Sequence, residues 1–268
     1  MRAVTAVITV DIPPTFHIGP LELAWHGITI AVGIAIGGVI AGRWARRREM
    51  DVDPLYTIGG ILAIAALVGG RIFYLAEHGE LADPSRWVAS TGFTFDGGFI
   101  AAAVGITLYL WRSGLGVEYL DVVAAALPLG VAVGRIGDII NGEHYGAATT
   151  FFLGVRNANA GALTPRHDIA YHNGGLYEVI LASIIFAVVW PLRHRLRPVP
   201  LAMTWLVLAL FLIGRFFEFF LRRDSETLAL GMSSAQWTSL VLLTVAALGA
   251  WRSLAHRPRS GSVGRAAA

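Results

Sequence analysis

The sequence predicts an all-α, polytopic membrane protein with about seven transmembrane helices and an outer-side loop region. Of the 268 residues, 55% are hydrophobic and 15% are charged, whereas a soluble domain normally carries about 25% charged residues. Several apolar runs approach the roughly 20 residues that cross a bilayer. We expect residues 1–256 to form a single transmembrane domain and residues 257–268 to form a disordered cytoplasmic tail.

Each predicted helix is an apolar run that is bounded by charged or turn-forming residues. A block of arginines ends the first helix, a short turn separates the third from the fourth, and two prolines follow the fifth. The polar segment 151–173 is expected to form an outer loop. In chain order, the seven helices are predicted at residues 23–42, 56–76, 99–112, 120–140, 176–192, 202–221 and 236–251.

The arginines predict how these helices are oriented. Four of them lie at positions 43 and 46–48, and basic clusters beside membrane helices are found mainly in the cytoplasm. With that block inside, 12 of the 21 arginines fall on the inner side, six fall in outer segments and three lie within helices. The pattern predicts an outside N-terminus and an inside C-terminus. The net charge of +3 is explained by such loops and does not indicate a nucleic acid partner.

The three arginines within helices are Arg71, Arg135 and Arg215, each near the outer end of its helix. A charge at membrane depth costs several kcal/mol unless it is paired or faces a wet cavity. One shared anion would explain all three, and guanidinium groups bind phosphate in a bidentate way. A phosphate at the outer leaflet belongs to a phospholipid head group. The alternative is that each arginine pairs with a carboxylate, as Glu218 could do three residues after Arg215.

Arg135 lies in a polar stretch of thirteen residues that follows an apolar run. Gly134 and Gly137 in this stretch would let neighbouring helices approach closely. Gly142 lies where the helix should end and the backbone must turn. Asn141 and Glu143 would then project from a fixed bend, where backbone N–H groups can add contacts to an anion.

Other polar groups near the outer helix ends are candidate acids or bases. The alternatives are structural, since Asp96 could cap the third helix and His26 could anchor the first helix at the interface. The chain has no cysteine, which excludes disulfides, thiolate metal sites and a thiol nucleophile of its own. We predict no metal and no cofactor. The candidates are His26, Asp96, Asp138, Glu143, His144, Tyr177 and Glu178.

Residues 134–143 resemble the signature of the prolipoprotein diacylglyceryl transferases, Gly-Arg-[Ile/Leu]-Gly-Asn-Phe-[Ile/Leu]-Asn-Gly-Glu. The first helix has Trp-His-Gly where that family has Trp-Tyr-Gly, and the fifth helix begins with the family's Leu-Tyr-Glu. The order and spacing of the matches agree over nearly the whole chain. Matching segments lie at residues 25–27, 69–72, 134–143, 176–178, 214–217, 221–222, 231–233 and 236.

The resemblance implies an enzyme at the outer face of the bacterial inner membrane. It would move the diacylglyceryl group of phosphatidylglycerol to the lipobox cysteine in a prolipoprotein signal peptide, forming a thioether and releasing glycerol phosphate. Arg135 and Arg215 would hold the phosphate and stabilise the charge of the leaving group. The predicted catalytic residues are Arg135, Arg215, His26, Asp96 and Glu143. The predicted substrate-binding residues are Arg71, Gly134, Asp138, Asn141, Gly142, Tyr177, Glu178, Glu218 and Arg222.

The chain departs from the family pattern at several acid–base positions. Asp96 replaces a histidine, His26 replaces a tyrosine and Asp138 replaces an asparagine. Residues 173–175, Asn-Gly-Gly, replace Pro-Ser-Gln, and Phe219 replaces a glutamate. Glu218 lies one position earlier than that glutamate, about 100° around the helix. Three interpretations stay open: His26 or Asp96 takes the proton instead, the acceptor differs, or the protein binds lipid without transferring it.

Overall fold

The computed structural model describes residues 7–88, 92–223 and 227–255, and these are mostly helical. Residues 257–268, which were predicted as a disordered tail, lie outside the described residues. Each of the seven predicted helices is present as a long helix, and the fourth continues into a short one. The helices are α1 (Trp25–Arg47), α2 (Asp53–Glu77), α3 (Phe95–Arg112), α4 (Glu118–Gly134), α5 (Ile136–Asn141), α6 (Gly174–Leu196), α7 (Ala202–Glu218) and α8 (Ser234–Ala255).

Within the described ranges, five helical segments are long and apolar enough to cross a membrane. They are α1, α2, α4 together with α5, α6 and α8. The two other long helices, α3 and α7, have 18 and 17 residues, which is the lower end of the range of a transmembrane helix. The membrane character of the chain is therefore confirmed for five helices, and a count of seven spans stays a prediction.

The described residues are mostly helical, in agreement with the prediction, and they also contain six short strands that were not predicted. The strands are β1 (Ile8–Val10), β2 (Thr15–Ile18), β3 (Leu21–Ala24), β4 (Tyr145–Ala148), β5 (Val155–Asn157) and β6 (Tyr171–Asn173). The order of the larger sheet is β1-β5-β6-β4, and β2 pairs with β3 in an antiparallel hairpin. The segment 151–173, predicted as a loop, thus contributes two strands and binds the N-terminal segment through the parallel pair of β1 and β5.

Helix α4 is the centre of the helical bundle, since it packs against α1, α6 and α7. Glycines make the contact with α1 very close, because a Cβ atom at Gly33 would overlap the carbonyl oxygen of Gly130. A carboxylate of α4 also fixes the start of α7: Asp121 accepts hydrogen bonds from the backbone N–H groups of Leu201 and Thr204, at 2.8 and 2.9 Å.

Helices α2 and α3 form a hairpin, and each packs mainly against the other. They join α4 near the opposite end of the bundle from the sheet, where Ile58 and Leu110 bury their side chains with Tyr119. The start of α3 packs closely against α2, because a Cβ atom at Gly97 would lie 2.6 Å from the carbonyl oxygen of Gly69. That start carries Asp96.

Helix α7 ends at Glu218, three residues earlier than predicted. The chain then turns tightly, because the backbone N–H of Leu221 donates to the carbonyl of Glu218 at 2.8 Å. Gly146 of β4 pairs with Arg222 just after this turn. The turn thus carries Arg222 over the sheet and back towards α5.

Candidate active site

Arg135 lies at the junction of α4 and α5, and its side chain is 13% exposed. Its Nε contacts the carboxylate of Glu178, which lies near the start of α6. One terminal nitrogen donates to Oδ2 of Asp138 at 2.5 Å and lies 3.5 Å from Nε2 of His144. The guanidinium is therefore buried among carboxylates of two helices.

Arg215, near the end of α7, reaches the same carboxylate from the other side. It donates to Oε1 of Glu178 at 2.9 Å, and its second terminal nitrogen lies 3.3 Å from Oδ1 of Asp96. Glu178 thus bridges two guanidinium groups that the sequence placed on different helices. Because Asp96 comes from α3, this contact also connects the α2–α3 hairpin to the site.

Arg222 is the third arginine of the cluster. It donates to Nδ1 of His144 at 2.8 Å and lies 3.8 Å from the carboxylate of Glu218. The ring of Phe219 lies below two of the guanidinium groups, with its centroid 4.8 Å from Arg215 and 4.4 Å from Arg222. A cation over an aromatic ring is stabilised by the ring quadrupole, so the phenyl ring takes up the space between two cations where the family pattern has a carboxylate.

The structure gives Arg71 a different environment from the one expected. Its Nε donates to the carbonyl of Arg86 at 3.0 Å, and a terminal nitrogen donates to the carbonyl of Gly92 at 2.8 Å. The guanidinium also lies 5.2 Å from the ring of Tyr74. These contacts join α2 to the segment before α3, so Arg71 holds its own hairpin together.

Asp138 is completely buried and joins the arginine cluster to α1. Its Oδ1 contacts Nδ1 of His26, and its Oδ2 is bound by Arg135. Glu143 completes the group, with Oε1 at 3.9 Å from Nδ1 of His26 and at 3.6 Å from Nε2 of His144. Two residues that depart from the family pattern, His26 in the helix-one motif and Asp138 in the signature, are therefore in contact.

Three glycines allow this group to assemble. A Cβ atom at Gly137 would lie 2.5 Å from Cα of His26, so the glycine lets α5 approach the first turn of α1. A Cβ atom at Gly175 would lie 2.7 Å from Cβ of Asp138, so α6 approaches equally closely from the other side. Gly142 ends α5 in the left-handed conformation, with φ of 71°, which glycine adopts without strain.

Other predicted residues have structural partners at the edge of the site. Gly134 accepts a hydrogen bond from Oγ1 of Thr29 at 2.8 Å through its carbonyl. The carbonyl of Asn141 accepts one from Leu163 at 2.8 Å. The hydroxyl of Tyr177 lies 2.5 Å from Nδ1 of His172. These residues therefore shape the walls of the site.

The sequence interpretation did not select Asn157, which is buried under the end of α5. Its amide donates to the carbonyls of Ile139 and Ile140, at 2.8 and 3.2 Å. These are carbonyls that the end of a helix leaves without helical partners. An asparagine in a polar loop carries no local signal for such a role, since its partners come from a different part of the chain.

Glu218 is 6% exposed, and its carboxylate oxygens make no hydrogen bond to a described residue. It borders a cavity of about 220 Å³ between α6 and α7. The other lining residues are mostly apolar: Tyr177, Leu181, Gly214, Phe217 and Leu221. The cavity thus leads from an apolar helix surface to the edge of the arginine cluster.

In the described residues, one group of side chains has its donor atoms close enough to hold a metal ion. The atoms belong to His26, Asp138 and Glu143 and lie within 4.8 Å of one another. Asp138 is already paired with Arg135 and His26, and the nearby guanidinium repels a further cation. The carboxylate of Asp138 therefore already has a guanidinium and an imidazole as partners.

A comparison with known protein families agrees with this geometry. A family model described as prolipoprotein diacylglyceryl transferase matches residues 13–252. The chain belongs to this family. The match covers α1 to α7, most of α8 and all residues of the arginine cluster. The family assignment that the signature suggested is therefore confirmed.

Curated relatives agree with the family assignment. A protein of Coxiella burnetii is 31% identical over 264 residues, which cover 92% of this chain and 97% of the relative. A protein of Burkholderia thailandensis is 30% identical over an alignment of 286 positions, gaps included, which covers 88% of this chain and 92% of the relative. Both are named phosphatidylglycerol–prolipoprotein diacylglyceryl transferase. The chain is a member of a transferase family of lipoprotein biosynthesis with relatives in bacteria.

In the cluster, residues that match the pattern of this diacylglyceryl transferase family contact residues that depart from it. Arg135, Arg215 and Glu178 match the family pattern and form its centre. His26 and Asp138 depart from the pattern and form the side that faces α1. Arg135, Arg215 and Glu178 thus keep the residue types of the family pattern, whereas His26 and Asp138 beside them do not.

Proposed function

We propose that this protein transfers the diacylglyceryl group of phosphatidylglycerol to the lipobox cysteine of prolipoproteins. One observation carries the proposal most directly: Arg135, Arg215 and Arg222 converge from three segments of a membrane protein on one buried site. Guanidinium groups bind phosphate strongly where water is scarce. The membership of the transferase family supports the same reaction.

The arginines act on the phosphate in this proposal. The cysteine sulfur forms a bond to the terminal glyceryl carbon, the bond from that carbon to the phosphate oxygen breaks, and glycerol phosphate leaves with the electron pair. The phosphate changes from a diester with one negative charge to a monoester with about two. Donors that are already in place stabilise this developing charge. Glu178 holds Arg135 and Arg215 in position before the lipid arrives.

The proposed reaction also requires that the arginine cluster lies on a defined side of the membrane. We place the arginine cluster at the outer leaflet of the bacterial inner membrane, with the N-terminus outside and the C-terminus inside. The arginine block at the end of α1 supports this orientation, because such blocks lie mainly in the cytoplasm. In this arrangement α3 and α7 also cross the membrane, the chain has seven spans, and the sheet forms the outer region.

The test uses the full-length protein in detergent micelles that contain phosphatidylglycerol, together with a peptide that carries a lipobox cysteine. The thioether product is detected by its mass, and glycerol phosphate is measured separately. We expect Arg135→Lys and Arg215→Lys to lower the rate by about 10²–10³, the typical loss for one donor to a developing anion. Arg195→Lys, at the other end of α6, is the matched control and should keep the wild-type rate.

Two results would contradict this function. Wild-type protein that binds the lipid and forms no thioether would show that it is not a transferase for the lipobox cysteine. Release of glycerol phosphate without lipidation of the peptide would instead indicate another acceptor. The departures at the acid–base positions give this second function a specific basis, since in the proposed reaction these residues would meet the acceptor.

A further inference from the structure

Two departures from the family pattern form a single pair in this protein. His26 occupies the tyrosine position of the helix-one motif, and Asp138 occupies an asparagine position of the signature. Nδ1 of His26 contacts Oδ1 of Asp138, which is completely buried. An imidazole held by a buried carboxylate is the arrangement that orients a general base in hydrolases and acyltransferases. A tyrosine and an asparagine at these positions cannot form such a pair.

The surrounding backbone fixes the orientation of the imidazole. Oγ1 of Thr29 accepts a hydrogen bond from the backbone N–H of Gly137 at 3.1 Å and donates to the carbonyl of Gly134 at 2.8 Å. These bonds hold the first turn of α1 against α5. Since Nδ1 faces the carboxylate, Nε2 is the nitrogen that can accept a proton from another molecule. The side chain is 36% exposed although its Nδ1 is buried, so the rest of the ring is open to another molecule.

Two other candidate bases, Asp96 and His144, are engaged in contacts that oppose this role. Asp96, at the histidine position of the family, lies 3.3 Å from a terminal nitrogen of Arg215, so its carboxylate is already paired with a guanidinium of the site. His144 accepts a hydrogen bond at Nδ1 from Arg222. Its proton therefore lies on Nε2, which faces Asp138 and Glu143 and acts as a donor.

We propose that His26 is the general base of this protein and that Asp138 is its positioning residue. The inference rests on the proposed transferase function. The thiol proton of the acceptor cysteine passes to Nε2 of His26, the sulfur bonds to the glyceryl carbon, and the bond from that carbon to the phosphate oxygen breaks. The imidazolium, stabilised by Asp138, then returns its proton to the released phosphate or to water. No oxidant or metal is needed for this balance.

The proposal is tested by the pH dependence of kcat/KM. Asp138, Glu143 and Arg135 are the charged groups that act on His26 among the described residues. The rising part of the pH profile of kcat/KM, called the pH limb below, therefore reports the loss of the His26 proton in the presence of these charges. The rate should rise with pH as the imidazole loses its proton. His26→Ala should lower kcat by about 10²–10⁴, the usual share of a general base, and should lose that limb. Imidazole in solution should restore part of the rate, because the position is accessible.

Further variants separate a catalytic effect from a structural one. His26→Gln keeps a polar side chain of similar size, and it should fold and bind phosphatidylglycerol with the wild-type Kd but lack the pH limb. Asp138→Asn should shift the limb and lower kcat, whereas Asp96→Ala should keep the limb whatever its effect on the rate. The double variant H26Y/D138N restores the family residues and tests whether the pair acts as a unit.

Three outcomes would overturn the assignment while leaving the transferase function intact. The first is an active His26→Gln variant that keeps the wild-type pH limb. The second is loss of the limb in Asp96→Ala alone, which would make Asp96 the base. The third is wild-type activity that is lost with EDTA and restored by Zn²⁺, which would make His26, Asp138 and Glu143 a metal site. Absence of thioether formation by wild-type protein would instead contradict the proposed function itself.

Discussion

Gly137→Ala is the substitution that most directly tests how the site is assembled. The new Cβ atom would lie 2.5 Å from Cα of His26 and 2.5 Å from Oγ1 of Thr29, whereas such atoms normally approach to about 3.5 Å. The first turn of α1 must therefore move by about 1 Å. Overpacking of this kind costs about 1–3 kcal/mol, and a displacement of 1 Å in a reacting group can lower the rate by about 10²-fold.

The measurement compares Gly137→Ala with Gly38→Ala. Gly38 lies on α1, and a Cβ atom there would have no heavy atom within 4 Å, so alanine removes only the conformational freedom of glycine. We expect Gly38→Ala to keep the wild-type melting temperature and rate, or to raise the former. Gly137→Ala should lower both the melting temperature in detergent and the rate of thioether formation. A Gly137→Ala protein with wild-type stability and rate would refute the close contact between α1 and α5.

Two further predictions concern residues that hold the bundle around the site. Asp121→Ala leaves the first N–H groups of α7 without their acceptor, and we expect a loss of about 1–3 kcal/mol, measured as a lower melting temperature. Arg71→Ala removes donors to the carbonyls of Arg86 and Gly92, so the larger effect should be on stability. An increased KM for phosphatidylglycerol without a change in melting temperature would instead make Arg71 a lipid contact.

The helices were predictable from the sequence because each is a long apolar run with charges at its ends. Their boundaries were less certain: α1 extends to Arg47, since arginines at the end of a membrane helix can remain helical while their charges reach the interface. The strands could not be predicted. They contain three or four residues each, and β1 pairs with β5, which lies far along the chain.

The candidate site was predictable in its composition and less so in its connections. Arg135 and Arg215 were expected to share one anion, and the structure brings them to one carboxylate, Glu178. The third arginine beside them is Arg222, because the chain turns after α7 and returns over the sheet. Depth in the membrane, which made Arg71 resemble the other two, does not determine which helices face one another.

The residues that depart from the family pattern contact one another or fill the space beside retained residues, and this argues for a retained function. Gly175 replaces a glutamine, and any side chain there would meet Asp138. Asp138 in turn contacts His26, and Phe219 fills the space between two retained arginines. Loss of function would remove the selection that keeps contacting residues compatible, and substitutions would then scatter over the chain and break buried pairs. Here each carboxylate that departs from the pattern, Asp96 and Asp138, has a cationic or imidazole partner, which is the arrangement that the proposed proton acceptor requires.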